Sequence, residues 1–286
     1  MSWKLYRWTW HVRAPLYLGL PPAGALYRTR LLVPARTLWG ALTAELARHE
    51  GGGRTPDYAS VGDALGKDAR IGYLFPAELS AGSWRVWLPV YREGTGLVWV
   101  RGDQPGSWVP DLTFRRRILS ARSGTSIDPS NDAAEDGSLR ETECIQPRWR
   151  TAPGTDGSPL AMMGYVFFRD EAIRERLEPI RRVFVGGDAR YGFGLMEREE
   201  PVTPTDKFFG DKVVLDTENP LVDAAVIRAH VAAEEPALSL SGAQERIGGW
   251  SWDQLEGDLG RLWAPGSRSD SPIRWNVCKD GFWRGA

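Results

Sequence analysis

Cysteine and histidine are almost missing from this 286-residue chain. Cys144 and Cys278 are too few for a disulfide framework or a zinc ribbon, and they suit a reduced cytoplasm. His11, His49 and His230 are the only imidazoles, so acid–base chemistry by histidine has few seats. No apolar run reaches membrane-spanning length. Lys4, Arg7 and His11 interrupt the N-terminus where a signal peptide needs apolar residues. The expectation is a cytoplasmic protein with no membrane partner, no metal and no cofactor. A global charge is missing too: the net is −1 and the pI about 6.4. That argues against a free-standing basic DNA binder but leaves RNA open, because charge can be local. The length suffices for a sizeable core, in one large domain or two small ones.

Tryptophan, by contrast, is abundant, at 14 residues. Large core residues are the ordinary reading, and some could serve as stacking surfaces. Residues 3–14, "WKLYRWTWHVRA", alternate as a strand. Tyr6, Trp8, Trp10 and Val12 share one face, and Arg7, Thr9, His11 and Arg13 share the other. After a loop rich in Gly and Pro, residues 31–53 read as a helix. Pro34 suits its start, Leu38, Leu42 and Leu46 recur at helical spacing, and Gly51 to Gly53 end it. "IGYLFPAE", "WRVWLPVY" and "GLVWVRGD" read as strands. Residues 110–150 are polar and turn-rich. They read as two strand-like arms of a long hairpin around the tip "DPSNDAAEDGS". Arg115, Arg116, Arg117 and Arg122 cluster on the first arm. Such a cluster is ordinarily a solvated surface, yet adjacent arginines can also track a phosphate backbone. "MMGYVFF" is a strand, and 169–184 a helix with acids early and arginines late. Beyond residue 200 the pattern is less regular. "KVVLD" and "ALSLS" look like strands, and "TENPLVDAAVIRAHVAAEE" holds a helix candidate.

Residues 185–199, "VGGDARYGFGLMERE", pose the sharpest question. Gly186, Gly187, Gly192 and Gly194 exceed the one or two glycines that a helix-to-strand turn needs. A dinucleotide loop runs strand, glycines, helix. Here the order is reversed, no Lys-Ser/Thr pair makes a P-loop, and Asp188 would repel a phosphate. Bare backbone beside Arg190, Tyr191 and Phe193 suits a single RNA strand better than a nucleoside triphosphate.

The segment "VGGDARYGFGLM" resembles the glycine-rich loop of the RAMP superfamily of CRISPR proteins. Two more segments agree in order. "LYLGLPPAGALYRTRLLVPARTLWGALTAEL" is similar to the family's first loop and first helix. "GTSIDPSNDAAEDGSLRETECIQP" is similar to its inserted β-hairpin thumb, and "WAPGS" near the C-terminus is also of the family's kind. The resemblance covers residues 3–200 well and the remainder loosely. It implies an α+β, ferredoxin-like domain over 1–200, with a thumb at about 110–150 and the glycine loop at 185–194. It also implies a C-terminal part, 201–286, that forms a second ferredoxin-like half or an elaboration of the first. The first loop, "GLPPAGALYRTR", lacks the acid with which some backbone subunits cleave RNA. A single glycine loop, a thumb, an irregular C-terminal half and "YLFPAE" in the middle resemble the fifth Cas family, whose members bind the 5′ handle of the crRNA and cap the filament of backbone subunits, and the variety resembles type III-D or type VII systems.

The implied RNA contacts are the loop Gly186, Gly187, Asp188, Ala189, Arg190, Tyr191, Gly192, Phe193 and Gly194, with Arg190 on phosphates and Phe193 packed beneath. Arg36 and Thr37 would add contacts at the start of the first helix. Arg115, Arg116, Arg117 and Arg122 would cross the guide–target duplex. The partners would be crRNA, a backbone-type Cas subunit, the guide–target duplex and an effector nuclease of the same complex. Two alternatives stay open. One is a RAMP-type pre-crRNA processing endoribonuclease using His11 or Tyr191. The other is a ligand-binding protein with a tryptophan-lined groove.

Overall fold

The computed structural model describes residues 2–150, 156–234, 239–250 and 255–286. Its elements run β1 (Lys4–Val12), α1 (Ala35–Gly51), α2 (Tyr58–Asp68), β2 (Phe75–Ser80), β3 (Ser83–Arg92), β4 (Gly96–Arg101), β5 (Gln104–Pro110) and α3 (Asp111–Ile118). There follow β6 (Leu119–Gly124), β7 (Arg140–Ile145), β8 (Asp156–Phe168), α4 (Glu171–Leu177), β9 (Arg182–Phe184) and β10 (Leu195–Arg198). The C-terminal part adds β11 (Leu221–Val226), β12 (Gln244–Trp250), β13 (Leu255–Trp263), β14 (Arg268–Val277) and β15 (Trp283–Gly285), with shorter strands between.

The main sheet has the order β9-β10-β1-β8-β2-β3-β4-β5. β1 lies at its heart because its alternation lets it pack. Trp8, Trp10 and Val12 are buried, as are Leu5 and Thr9 on the opposite face. β1 pairs antiparallel with β8 from Lys4↔Phe168 to His11↔Ala161, and with β10 through His11↔Glu197. α1 starts after Pro34 and ends at Gly52 in the left-handed region, as its sequence predicts. Leu38, Leu42 and Leu46 are fully buried and join the same core. Burying each such leucine contributes roughly 1.5–3 kcal/mol. Residues 207–285 build a second sheet, in which β11 pairs with β14.

Three local expectations are corrected. Arg115, Arg116 and Arg117 do not lie on the first hairpin arm: they form the last turn of α3. Phe114 and Ile118 are four apart and buried together, and Asp111 accepts from Arg115 at 2.8 Å, so one helical turn satisfies all four. The helix candidate of 217–235 is strand β11, because Leu221–Ala224 hydrogen-bonds along β14 and tertiary pairing overrides local propensity. The helix read over 169–184 stops at Leu177, and Arg182–Phe184 pairs with β10 instead. The strand reading of "ALSLS" falls partly on residues outside those described. Among the described residues, Trp3, Trp8, Trp10, Trp87, Trp99, Trp149, Trp275 and Trp283 are buried. The tryptophans therefore mostly build core, while Trp39 and Trp283 also line a cavity beside the start of α1.

Candidate nucleic-acid interface

The hairpin and the glycine loop meet across one groove. β6 and β7 pair from Arg140↔Gly124 to Ile145↔Leu119, which sets Arg122 opposite Thr142. The two-residue strand Leu26–Tyr27 of the first loop runs parallel to β7 and widens this small sheet. A cavity of about 430 Å³ opens between these arms and the loop, lined by Arg122, Arg140, Thr142, Asp188, Tyr191 and Phe193 among others.

The glycines answer to two demands. Gly186 has φ +87°, and a Cβ there would lie 2.2 Å from the Tyr17 carbonyl oxygen. Gly194 has φ +92°, and its Cβ would lie 2.7 Å from the Val185 carbonyl oxygen. Both positions require the absence of a side chain. The backbone approach then makes hydrogen bonds: Gly187 N donates to Tyr17 O at 2.9 Å and Gly194 N to Pro15 O at 2.8 Å. These two amides hold the loop on the protein and are not free for a phosphate. Between them, Ala189–Tyr191 form a single 3-10 turn after Asp188. That turn lifts Arg190 and Tyr191 into solvent, with Tyr191 62% exposed.

The first loop is the seat for this crest and is itself tied to β7. Leu18 N donates to Thr29 Oγ1 at 2.8 Å, and Thr29 N donates to Glu143 Oε2 at 2.9 Å. Burial raises the Tyr17 phenol above its ordinary pKa, with Asp188 adding to the effect, so it stays neutral at physiological pH. Arg140 stands across the groove. Its guanidinium lies 4.9 Å from the Tyr191 ring centroid, and its Nη2 is 4.0 Å from Asp188 Oδ2. Asp188 thus faces an arginine, which offsets the repulsion it would offer a phosphate. The groove combines guanidinium groups with an exposed aromatic face, the chemistry that holds a single strand by phosphate and base together.

The structure assembles only part of the set expected from the sequence. Arg122, Asp188, Tyr191 and Phe193 line the groove, with Phe193 buried beneath it. Arg115 is held by Asp111, and the Arg117 guanidinium sits 5.8 Å from the Trp87 ring, so neither reaches out. Arg116 is exposed on α3. Arg36 lines a different cavity, which shares no residue with the groove, and Thr37 is its neighbour on α1. Arg140 was not singled out by the sequence. Its signal was available: it opens the return arm, where an antiparallel hairpin places it near Arg122.

The histidines stand apart from the groove. The His11 ring packs edge-on against Trp84 at 5.1 Å, and burial lowers its pKa while Glu199 opposes. His11 lies on β1, whereas Tyr191 lies on the glycine loop, where Arg140 faces its ring. His49 lies in the last turn of α1. His230 is fully buried in a chain of hydrogen bonds: Tyr73 Oη to Nδ1 at 2.7 Å, Nε2 to Glu245 Oε1 at 2.8 Å, then Arg30 Nη2 to Glu245 Oε2 at 2.7 Å. That chain joins the first loop to the C-terminal sheet. Among the described residues no three His, Cys, Asp or Glu are grouped to hold a metal, and no helix is long and apolar enough to cross a membrane.

No family model and no curated protein matches the chain. Among solved structures it is similar to a chain of the Type III-B Cmr-beta complex bound to cognate target RNA and AMPPnP. The TM-score is 0.57 and the identity 16%, over 91% of this chain and 84% of that one. A chain of Cmr-beta bound to cognate target RNA is similar at TM-score 0.54 and 16% identity, over 91% and 85%. At such identity the likeness concerns the fold: strand-rich, mixed α and β, and of comparable extent.

Proposed function

We propose that the chain is a non-catalytic RNA-binding subunit of a CRISPR effector complex that holds the 5′ handle of the crRNA and caps the filament of backbone subunits. The observation that carries this reading is the groove, where hairpin arms and glycine loop converge on one run of arginine and tyrosine. Arg122, Arg140 and Arg190 contact phosphates, Tyr191 stacks on a base, and Phe193 supports the loop from below. The exposed hairpin tip, with Ile127 and Leu139, reaches the guide–target duplex. Local charge at the groove substitutes for net charge.

Three further features support the reading. The elements β1, α1, β2, β8, α4 and β10 follow one another with others between them, and β10-β1-β8-β2 are neighbours in the sheet, an order that agrees with the ferredoxin-like reading. The solved structures of similar fold belong to a type III complex bound to target RNA. The three motif segments resemble the RAMP superfamily in order, with type III-D or type VII as the nearest variety. Residues 1–200 form the RNA-binding domain in this reading, and 201–286 its C-terminal elaboration.

The test is co-expression with the neighbouring genes and sequencing of the RNA that co-purifies. Short RNAs with one shared 5′ end, lost in R122E/R140E/R190E, are expected. RNA with random ends, or full retention by the triple variant, refutes the handle role.

A further inference from the structure

The groove between hairpin and glycine loop holds one group that phosphate binding does not call for. Asp188 lines it together with Arg122, Arg140 and Tyr191. The Asp188 side chain is 23% exposed, and Arg140 Nη2 stands 4.0 Å from its Oδ2, an ionic contact beyond hydrogen-bond length. Asp188 precedes the 3-10 turn Ala189–Tyr191 without making a side-chain cap bond. Among the described residues its carboxylate accepts no hydrogen bond, so its acceptors are open to the groove it lines. Tyr191 belongs to the same turn, since its N donates to Asp188 O at 2.8 Å. The Arg140 guanidinium lies over the Tyr191 ring, which nonetheless stays 62% exposed. One turn therefore carries an open carboxylate and an open aromatic surface. The cavity of about 430 Å³ has the volume of a small-molecule site.

A carboxylate in such a groove weakens the hold on phosphates, whatever the sequence of the strand. It gains only from hydrogen-bond donors, because an ionised carboxylate accepts and never donates. The phosphates of a strand offer no donor, whereas bases do. Guanine stands apart among the bases. Its Watson–Crick edge presents adjacent donors, N1–H and the N2 amine, which match the paired oxygens of a carboxylate. Adenine and cytosine set their amine beside a bare acceptor nitrogen, and uracil sets N3–H between carbonyl oxygens. Against those edges the second carboxylate oxygen meets a lone pair. A ribose 2′-hydroxyl offers a single donor and occupies one oxygen only. Unstacked bases of a single strand are read at this edge, and bonds to an ionised acceptor are of the strong class.

We infer that Asp188 makes the groove selective for guanine: its carboxylate takes the N1–H and the N2 amine of one guanine of the bound strand, and that base stacks on Tyr191. The inference rests on the reading of the groove as an RNA site. It adds a base preference that contacts from Arg122 and Arg140 to phosphate do not give.

The experiment is fluorescence anisotropy of the whole chain with labelled oligouridylates about eight nucleotides long, within the range of single-strand sites. The central base is G, A, C, U or inosine, which keeps N1–H but lacks the N2 amine. The proteins are wild type, Asp188→Asn and R122A/R140A. The backbone of Asp188 lies in the left-handed region at φ +59°, which asparagine tolerates, so Asp188→Asn keeps the loop. Wild type should bind the G strand about tenfold more tightly than the A, C and U strands, which is about 1.4 kcal/mol, with inosine in between. Asp188→Asn should erase that preference while binding the U strand as well as before or better, because a negative charge has left the groove. A purely structural role would instead weaken every strand alike. R122A/R140A should weaken all of them. Equal wild-type affinity for the strands, inosine equal to guanine, or a G preference that survives Asp188→Asn overturns the inference and leaves the RNA groove standing. So does a preference for ribose over deoxyribose strands, lost in Asp188→Asn without any base preference, which would assign the carboxylate to the 2′-hydroxyl. No binding of any strand, or binding unaltered in R122A/R140A, removes the groove reading and this inference with it.

Discussion

Replacing Gly186 by alanine should cost far more than the same change at Gly192, although both backbones lie in the left-handed region, at φ +87° and +81°. A non-glycine residue there costs about 1–2 kcal/mol. At Gly192 nothing lies within 4 Å of the added Cβ, so that cost is the whole effect. At Gly186 the added Cβ falls 2.2 Å from a backbone oxygen, that of Tyr17, which cannot rotate away. The loop must lift, and the neighbouring bond from Gly187 N to Tyr17 O at 2.9 Å goes with it. A lost hydrogen bond with a buried partner left unpaired adds about 1–3 kcal/mol, and the displaced packing adds more. The sum is about 2–5 kcal/mol before the displaced packing is counted, against about 1–2 at Gly192. Urea denaturation of the two variants measures the difference directly. RNA affinity should follow the same order, because Tyr191 and Arg190 ride on the lifted segment. Equal midpoints for the two variants would refute the reasoning: the loop would then not be held by its close approach to the first loop.

Other consequences are open to simple assays. Trp10→Ala should lower unfolding stability by about 3–5 kcal/mol, because the side chain is fully buried at the centre of the main sheet; thermal denaturation reads it. Arg115→Ala should leave RNA affinity unchanged in a filter-binding assay, since Asp111 already holds its guanidinium. R122A/R140A should flatten the dependence of log affinity on log salt by about 1.4, at roughly 0.7 per phosphate contact for a single strand. Stability should fall as pH drops below the ordinary His value of 6.5. Burial holds the His230 imidazole below that value in the folded state, so the unfolded chain binds the proton first. The Glu245 carboxyl adds to this at lower pH. Burial opposes its ionisation, but His230 and Arg30 hold its pKa below the ordinary value, so its contribution is lost as acid protonates it. In His230→Gln the first part of this acid slope should vanish, as denaturation midpoints between neutral pH and pH 5 would record.

The sequence by itself determined the elements whose signals are local. The period-two alternation of residues 3–14 made β1, because one face of a strand can be read from every second side chain. Pro34, the leucines at helical spacing and the glycines after residue 50 bounded α1, because start, stripe and stop lie within one segment. The hairpin arms and the surplus of glycine at 186–194 were legible for the same reason. Less was legible where two local readings compete. Residues 111–118 satisfy both a charged arm and a short helix, and Phe114 packing against Trp99 and Trp149 decides for the helix. Residues 221–226 are apolar enough for either structure, and the free hydrogen-bonding edge of β14 decides for a strand.

The sites belong to tertiary structure alone. Arg122, Arg140 and Tyr191 come from an arm, a return arm and a distant loop, and only sheet pairing and the close approach of Gly186 to Tyr17 bring them to one groove. Charge and aromatic type are written residue by residue. The distances between them are set by backbone contacts far apart in sequence, and no local pattern encodes those contacts.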